Sequence, residues 1–139
     1  MHIAIINGPN LNLLGTREPD VYGSQTFEQY FETLKEKFPK VNFSYFQSNI
    51  EGELIGEIQK MGAACDGIIL NAAAYTHTSV GLGDAISAIK APVVEVHISN
   101  IYAREEYRHH SFLTGKCKGV ISGLGLKGYE LAVNYLVTK

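Results

Sequence analysis

Residues 67–97 read GIILNAAAYTHTSVGLGDAISAIKAPVVEVH, and this stretch decides the fold. Gly67-Ile68-Ile69-Leu70-Asn71 and Val93-Val94-Glu95-Val96-His97 are short and almost continuously apolar, not alternating. Such runs fit strands covered on both faces, the condition of a parallel sheet. Between them Leu82, Ala85, Ile86 and Ile89 recur at helical spacing, and Ala91-Pro92 stops the helix. Strand, helix and strand in this order form one parallel crossover unit, right-handed because strands twist right-handedly.

The same alternation extends outward in both directions. Ile3–Asn7, Val41–Gln47 and Gly119–Ser122 read as three further strands, of which only the second departs from a continuous apolar run. Phe27, Tyr30, Phe31, Leu34 and Phe38 share one helical stripe, with Thr26 and Gln29 placed as a capping box. Ile50, Leu54, Ile58 and Met61 form another, led by Ser48 and Glu51 as a second box. Leu131, Ala132, Tyr135 and Leu136 form the last, and 99–112 is polar and mixed, a short helix with loops. Five strands alternating with helices predict an α/β fold, an open five-stranded parallel sheet with helices on both faces. The flavodoxin-like order 2-1-3-4-5 is the leading arrangement. No repeat or linker interrupts residues 1–139, so one domain is expected.

The chain has 139 residues, 45% apolar and 19% charged, with a formal net charge of -2. That length buries a core without disulfides or a structural metal, and the composition excludes intrinsic disorder. The charge balance supplies no global field for nucleic acid or an anionic membrane. No apolar run approaches the ~18 residues of a membrane span. Met1-His2-Ile3 leads straight into a strand, so no signal or transit peptide is expected. Cys65 and Cys117 stand apart and fit two reduced thiols of a cytoplasmic protein.

Ligands of such sheets bind beyond the carboxyl ends of the strands, at the point where strand order reverses. In this order that point lies between the first and third strands. Asn10 follows the first strand, Asn71 and His77 close and follow the third, and His97 and Ser99 close and follow the fourth. Asparagine after a strand is also a common turn residue, and a lone histidine there is more often structural. Two histidines at adjacent strand ends bring a site level with the structural reading. Arg17 and Tyr22 lie in a loop bounded by Gly15 and Gly23, either solvated or a lid on glycine hinges. Gly123-Leu124-Gly125-Leu126-Lys127-Gly128 matches GxGxxG, but a dinucleotide site needs a further strand and an acidic residue ~20 positions on. The sequence reaches Lys139 without either, so these glycines read as a tight helix entry. Gly8 to Gly15 lacks the GK[ST] of a P-loop. His77, His97, Asp84 and Glu95 lack the spacing of a zinc site, and His109-His110 is read as solvated.

Three blocks carry a resemblance. Ile6-Asn7-Gly8-Pro9-Asn10-Leu11-Asn12-Leu13-Leu14-Gly15 with Arg17 and Tyr22 resembles the opening of the type II 3-dehydroquinate dehydratases. Asn71-Ala72-Ala73-Ala74-Tyr75-Thr76-His77-Thr78-Ser79 is similar to that family's second block. Glu95-Val96-His97-Ile98-Ser99-Asn100, followed by Arg104-Glu105-Glu106-Tyr107-Arg108, is similar to its third. The resemblance implies a cytoplasmic, cofactor-free, flavodoxin-like lyase assembled as a dodecamer of trimers. Its reaction would be dehydration of 3-dehydroquinate to 3-dehydroshikimate in the shikimate pathway. By the same resemblance Tyr22 would be the general base, supported by Arg17, and His97 the acid that protonates the departing hydroxyl. Asn10 would hold a water at the enolate oxygen. Asn71, Ile98 and Ser99 would hold the carboxylate, and His77 and Arg108 the ring hydroxyls. Asp84 would reach a neighbouring subunit's site, and Arg104 would belong to the charged surroundings.

Elementary chemistry is consistent with these roles. A phenol has a pKa near 10, so ionising it at pH 7 costs about 4 kcal/mol. A guanidinium ~4 Å away at an effective dielectric of ~20 supplies about that much. Glu95 is two residues before His97, on the same side of a strand, and would keep it oriented and protonated. A competing class is a flavodoxin-like module that binds FMN or acts as a receiver. The loop after the first strand has few hydroxyls for a flavin phosphate, and Asn7 and Asn71 stand where a receiver needs acids. A third class is a structural protein whose loop residues are incidental.

Overall fold

The computed structural model describes residues 1–16, 20 and 24–138. Among them are strands β1 (His2–Asn7), β2 (Asn42–Gln47), β3 (Gly67–Asn71), β4 (Val93–His97) and β5 (Gly119–Ser122). Among them too are the α-helices α1 (Phe27–Lys37), α2 (Glu51–Ala64), α3 (Val80–Ser87) and α4 (Lys127–Thr138). All strand pairs are parallel, in the order β2-β1-β3-β4-β5, the α/β flavodoxin-like arrangement that the alternation predicts.

The continuous apolar runs have the expected cause. Alternate residues of a strand point to opposite faces, and here both faces are covered. Ile3, Ile5, Ile69, Val94 and Val96 pack with Phe27 and Leu34 of α1 and with Tyr129, Ala132, Val133 and Leu136 of α4. Ala4, Ile6, Ile68, Leu70 and Val93 pack with Leu54 and Ile58 of α2 and with Leu82, Ala85 and Ile86 of α3. Pairing of Asn7 with both Gln47 and Asn71 aligns the carboxyl ends of three strands, so the loops that follow them open on one rim.

Helix starts test the capping signals individually. Thr26 and Gln29 form the full capping box of α1. The Ser48–Glu51 box does not form. Ile50 is the N-cap of α2, Ser48 accepts from the Ile50 N–H and donates to Glu53, and Glu51 instead accepts from Ser79, the cap of α3. Local hydroxyl chemistry here serves a turn and a neighbouring helix. The α4 stripe is also displaced: Leu131 and Tyr135 are exposed, while Tyr129, Ala132, Val133 and Leu136 are buried. Gly123 and Gly125, both at positive φ, form the entry to α4, as the failed dinucleotide motif implies.

Tyr129 ties α4 to the switch point. Its hydroxyl donates to Asn7 Oδ1 (2.8 Å) and accepts from Asn71 Nδ2 (2.9 Å), with the ring fully buried. Its phenol is pushed far above the usual range by burial. Gly8 allows the loops after β1 and β3 to touch, because a Cβ there would lie 2.5 Å from the Ala72 carbonyl oxygen.

Tyr129→Phe leaves Asn7 Oδ1 and Asn71 Nδ2 without this partner. It is expected to lower unfolding free energy by about 1–3 kcal/mol in urea titrations. Tyr135→Phe on the exposed side of α4 should stay within about 0.5 kcal/mol. Equal effects of the two changes would contradict the network.

Candidate active site

Parallel strands end in loops because their backbone partners run out, and at β1, β3 and β4 those loops line one open cavity. Asn10, Asn71, His77, His97, Ile98, Ser99, Arg104 and Arg108 all line it. Eight predicted residues therefore meet at one place, above the point where strand order reverses. Pro9, Leu11, Leu13, Leu14 and Ile101 add an apolar wall that the polar residues of the sequence do not signal. Arg17 and Tyr22 lie outside the described residues. Asp84 is exposed on α3 and does not line this cavity.

At the end of β4, His97 Nε2–H donates to Glu95 Oε2 (2.6 Å), as the two-residue spacing predicts. Both side chains are buried, Glu95 completely. Burial pushes the Glu95 carboxyl up. The hydrogen bond and charge of His97, then the hydroxyls of Thr114 and Thr76, outweigh it and hold the carboxyl below the ordinary range. Thr76 donates to Oε2 and Thr114 to Oε1. Neither threonine stood out in the sequence, since nothing local ties them to a strand residue so far along the chain. With Nε2 committed to Glu95, Nδ1 is the ring nitrogen of His97 that this bond does not engage.

His77 lies beside it, ring centroids 6.3 Å apart. Its Nδ1–H donates to the His110 carbonyl (2.7 Å). Burial lowers its pKa most, the charges of His97 and Arg108 lower it further, and the His110 carbonyl and Glu95 oppose them. A neutral His77 presents Nε2 as an acceptor, suited to a hydroxyl. His110 thus serves the site through its backbone. His109 is exposed, but its Nε2 is 3.2 Å from the Arg104 carbonyl and its ring is 5.4 Å from Tyr102. Both depart from the expectation of merely solvated histidines.

The remaining polar groups are held in place. Asn71 is buried, with Oδ1 accepting from the Ala73 N–H (3.1 Å) and Nδ2 given to Tyr129. Ala73 and Asn10 both have positive φ, 53° and 70°. Non-glycine residues in that region are uncommon and cluster at functional sites. Arg104 Nη1 donates to Ser99 Oγ (3.2 Å), and Arg108 Nε donates to Glu105 (2.9 Å). The exposed Glu105 carboxyl is held down at about 2, first by the Tyr107 hydroxyl, then by its own backbone and Arg108. Arg104 and Arg108 bring two guanidinium groups to the rim, both within ion-pair reach of Glu105 (3.8 and 2.9 Å). Among the described residues, no group of three or more His, Cys, Asp and Glu side chains is arranged to hold a metal. Cys65 and Cys117 are free, and burial followed by the Glu95 charge pushes the Cys117 thiol up to about 12.

Acid, neutral acceptor, amides and rim cations around one concave space suit a small polyhydroxylated anion. The chain is 51% identical over 140 residues to a 3-dehydroquinate dehydratase of Prochlorococcus marinus (strain NATL1A), covering 99% of this chain and 97% of that protein. It is 53% identical over 135 residues to a catabolic 3-dehydroquinase of Phaeosphaeria nodorum, covering 96% and 89%. The crystal structure of a type II dehydroquinase from Butyrivibrio crossotus superposes with a TM-score of 0.95 at 42% identity, covering 99% of this chain and 98% of that one. Residues 1–137 match the family described as Dehydroquinase class II, and the chain belongs to that family.

Proposed function

We propose that this chain is a hydro-lyase that dehydrates 3-dehydroquinate to 3-dehydroshikimate by anti elimination through an enolate. The step lies on the shikimate route to chorismate and the aromatic amino acids. The observation that carries the mechanism is the fully buried Glu95 bonded to His97 on the wall of a cavity that also holds Asn10, His77 and two arginines.

A proton next to a ketone is weakly acidic, so the first step needs a strong base. Tyr22, made a phenolate beside Arg17, takes that proton. Negative charge moves to the ketone oxygen, where a water held by Asn10 donates to it. Hydroxide leaves poorly near neutrality, so His97, held in one orientation by Glu95, gives its Nδ1 proton to the departing oxygen. Asn71 with Ile98 and Ser99 receives the substrate carboxylate, and His77 and Arg108 receive ring hydroxyls, with Arg104 in the charged surroundings. The neutral state of His77 suits that task.

Residues 1–139 act as one catalytic domain with no cofactor. In a cytoplasmic dodecamer of trimers, Asp84 serves a neighbouring site. Its exposure outside its own cavity supports that placement.

Addition of 3-dehydroquinate is expected to produce the ultraviolet absorbance of a conjugated enone carboxylate. Tyr22→Phe should still bind substrate but lose turnover by several orders of magnitude. Near-parent turnover in that variant would eliminate the phenolate base. Glu95→Gln removes the carboxylate that accepts from His97 Nε2 and orients its ring. The rate of water loss should therefore fall at least about tenfold while substrate binding changes less than about twofold. A parent-like rate would show that Glu95 does not act through His97.

A further inference from the structure

The turn that presents Asn10 to the cavity is fastened from outside it. Asn10 has left-handed backbone, φ 70° and ψ -6°, and its own side chain makes no capping bond to the turn that follows. Its N–H instead donates to Asn49 Oδ1 (2.9 Å), a side chain 39 residues away in sequence. The same oxygen accepts from Gln47 Nε2 (3.2 Å), which also donates to the Gly8 carbonyl (3.1 Å). The Asn49 carbonyl in turn accepts from the Tyr75 hydroxyl (2.7 Å). One residue thus joins the loops after β1, β2 and β3. Asn49 is exposed, does not line the cavity and belongs to neither apolar cluster, so core packing does not account for these bonds.

We propose that Asn49 is a positioning residue for the dehydration, its side-chain oxygen holding the Asn10 turn in the conformation that places the Asn10 amide at the enolate side of the substrate. The proposal rests on the role given to Asn10 above. Asn10 acts on charge that develops during the reaction, so misplacing it slows the chemical step more than it weakens binding. The side chain of Asn49 is used only as an acceptor in the bonds to Asn10 and Gln47. A carboxylate at this position does the same work, and its charge would be exposed to solvent screening.

The test compares Asn49→Ala with Asn49→Asp by steady-state kinetics and by amide hydrogen exchange at Asn10. Because residue 49 is exposed, neither change disturbs the core. In Asn49→Ala, kcat should fall about 10- to 100-fold with KM changed less than about twofold. The Asn10 amide should exchange about tenfold faster, the equivalent of about 1.4 kcal/mol. Asn49→Asp should keep both near parent values. Parent-like kcat in Asn49→Ala overturns the proposal, whether or not exchange accelerates. So does equal impairment of the two variants, since the acceptor would then not be what matters. If the parent chain itself lacks dehydratase activity, the assigned function fails, while the exchange comparison still decides whether Asn49 holds the turn. Should Asn49→Ala not fold, Asn49→Ser with its shorter acceptor takes its place and is expected to fall between the other two.

Discussion

A carboxylate with no access to water sits at the end of β4, and much of the site is arranged around keeping it there. Burying a charge is costly unless it is paired and hydrogen-bonded. Glu95 meets that demand with one imidazole and two hydroxyls, drawn from β4, from the turn after β3 and from the segment before β5. Three separate parts of the chain must therefore be in register for the carboxylate to be tolerated. The same arrangement fixes which ring nitrogen of His97 is committed and which is available. Stability and, in the proposed mechanism, proton transfer consequently depend on one contact, and a loop that slips would lose both.

A second set of constraints lies at the neighbouring strand ends. Asn10 and Ala73 hold positive φ, Gly8 leaves space that a methyl would fill, and the Asn7–Tyr129–Asn71 network reaches from β1 across to β3 through α4. None of these is a good local conformation or a comfortable burial by itself. Asn10 and Tyr129 are compensated by bonds to distant parts of the chain, and Ala73 by a local one to Asn71. That pattern fits a rim whose geometry is set by function and whose cost is carried by the two apolar clusters beneath it.

The fold was legible in the sequence because burial on both faces leaves a direct signature. β1, β3 and β4 have no alternation, and their lengths and the helical stripes between them leave few topologies. The convergence of Asn10, Asn71, His77, His97 and Ser99 follows from the same argument, since strand order dictates which loops meet. Individual contacts were less legible. Ser48 had the right spacing for a capping box but found Glu53, and Leu131 and Tyr135 matched helical spacing but face outward. Periodicity states that a stripe exists without stating which of two overlapping stripes meets the sheet. Thr76, Thr114, Tyr129 and Asn49 carry no local signal, because their partners lie far along the chain, where spacing carries no information. Tyr22 and Arg17, proposed on resemblance and on the energetics of a phenolate, lie outside the described residues.

In the proposed mechanism His97 is the acid of a stepwise elimination, distinct from the base that forms the enolate. The most direct test follows 3-dehydroquinate by proton NMR in deuterated buffer with His97→Ala. Slow exchange of the proton beside the ketone, without release of water, is the result expected when the base works and the acid is gone. Water loss at the parent rate would contradict the account.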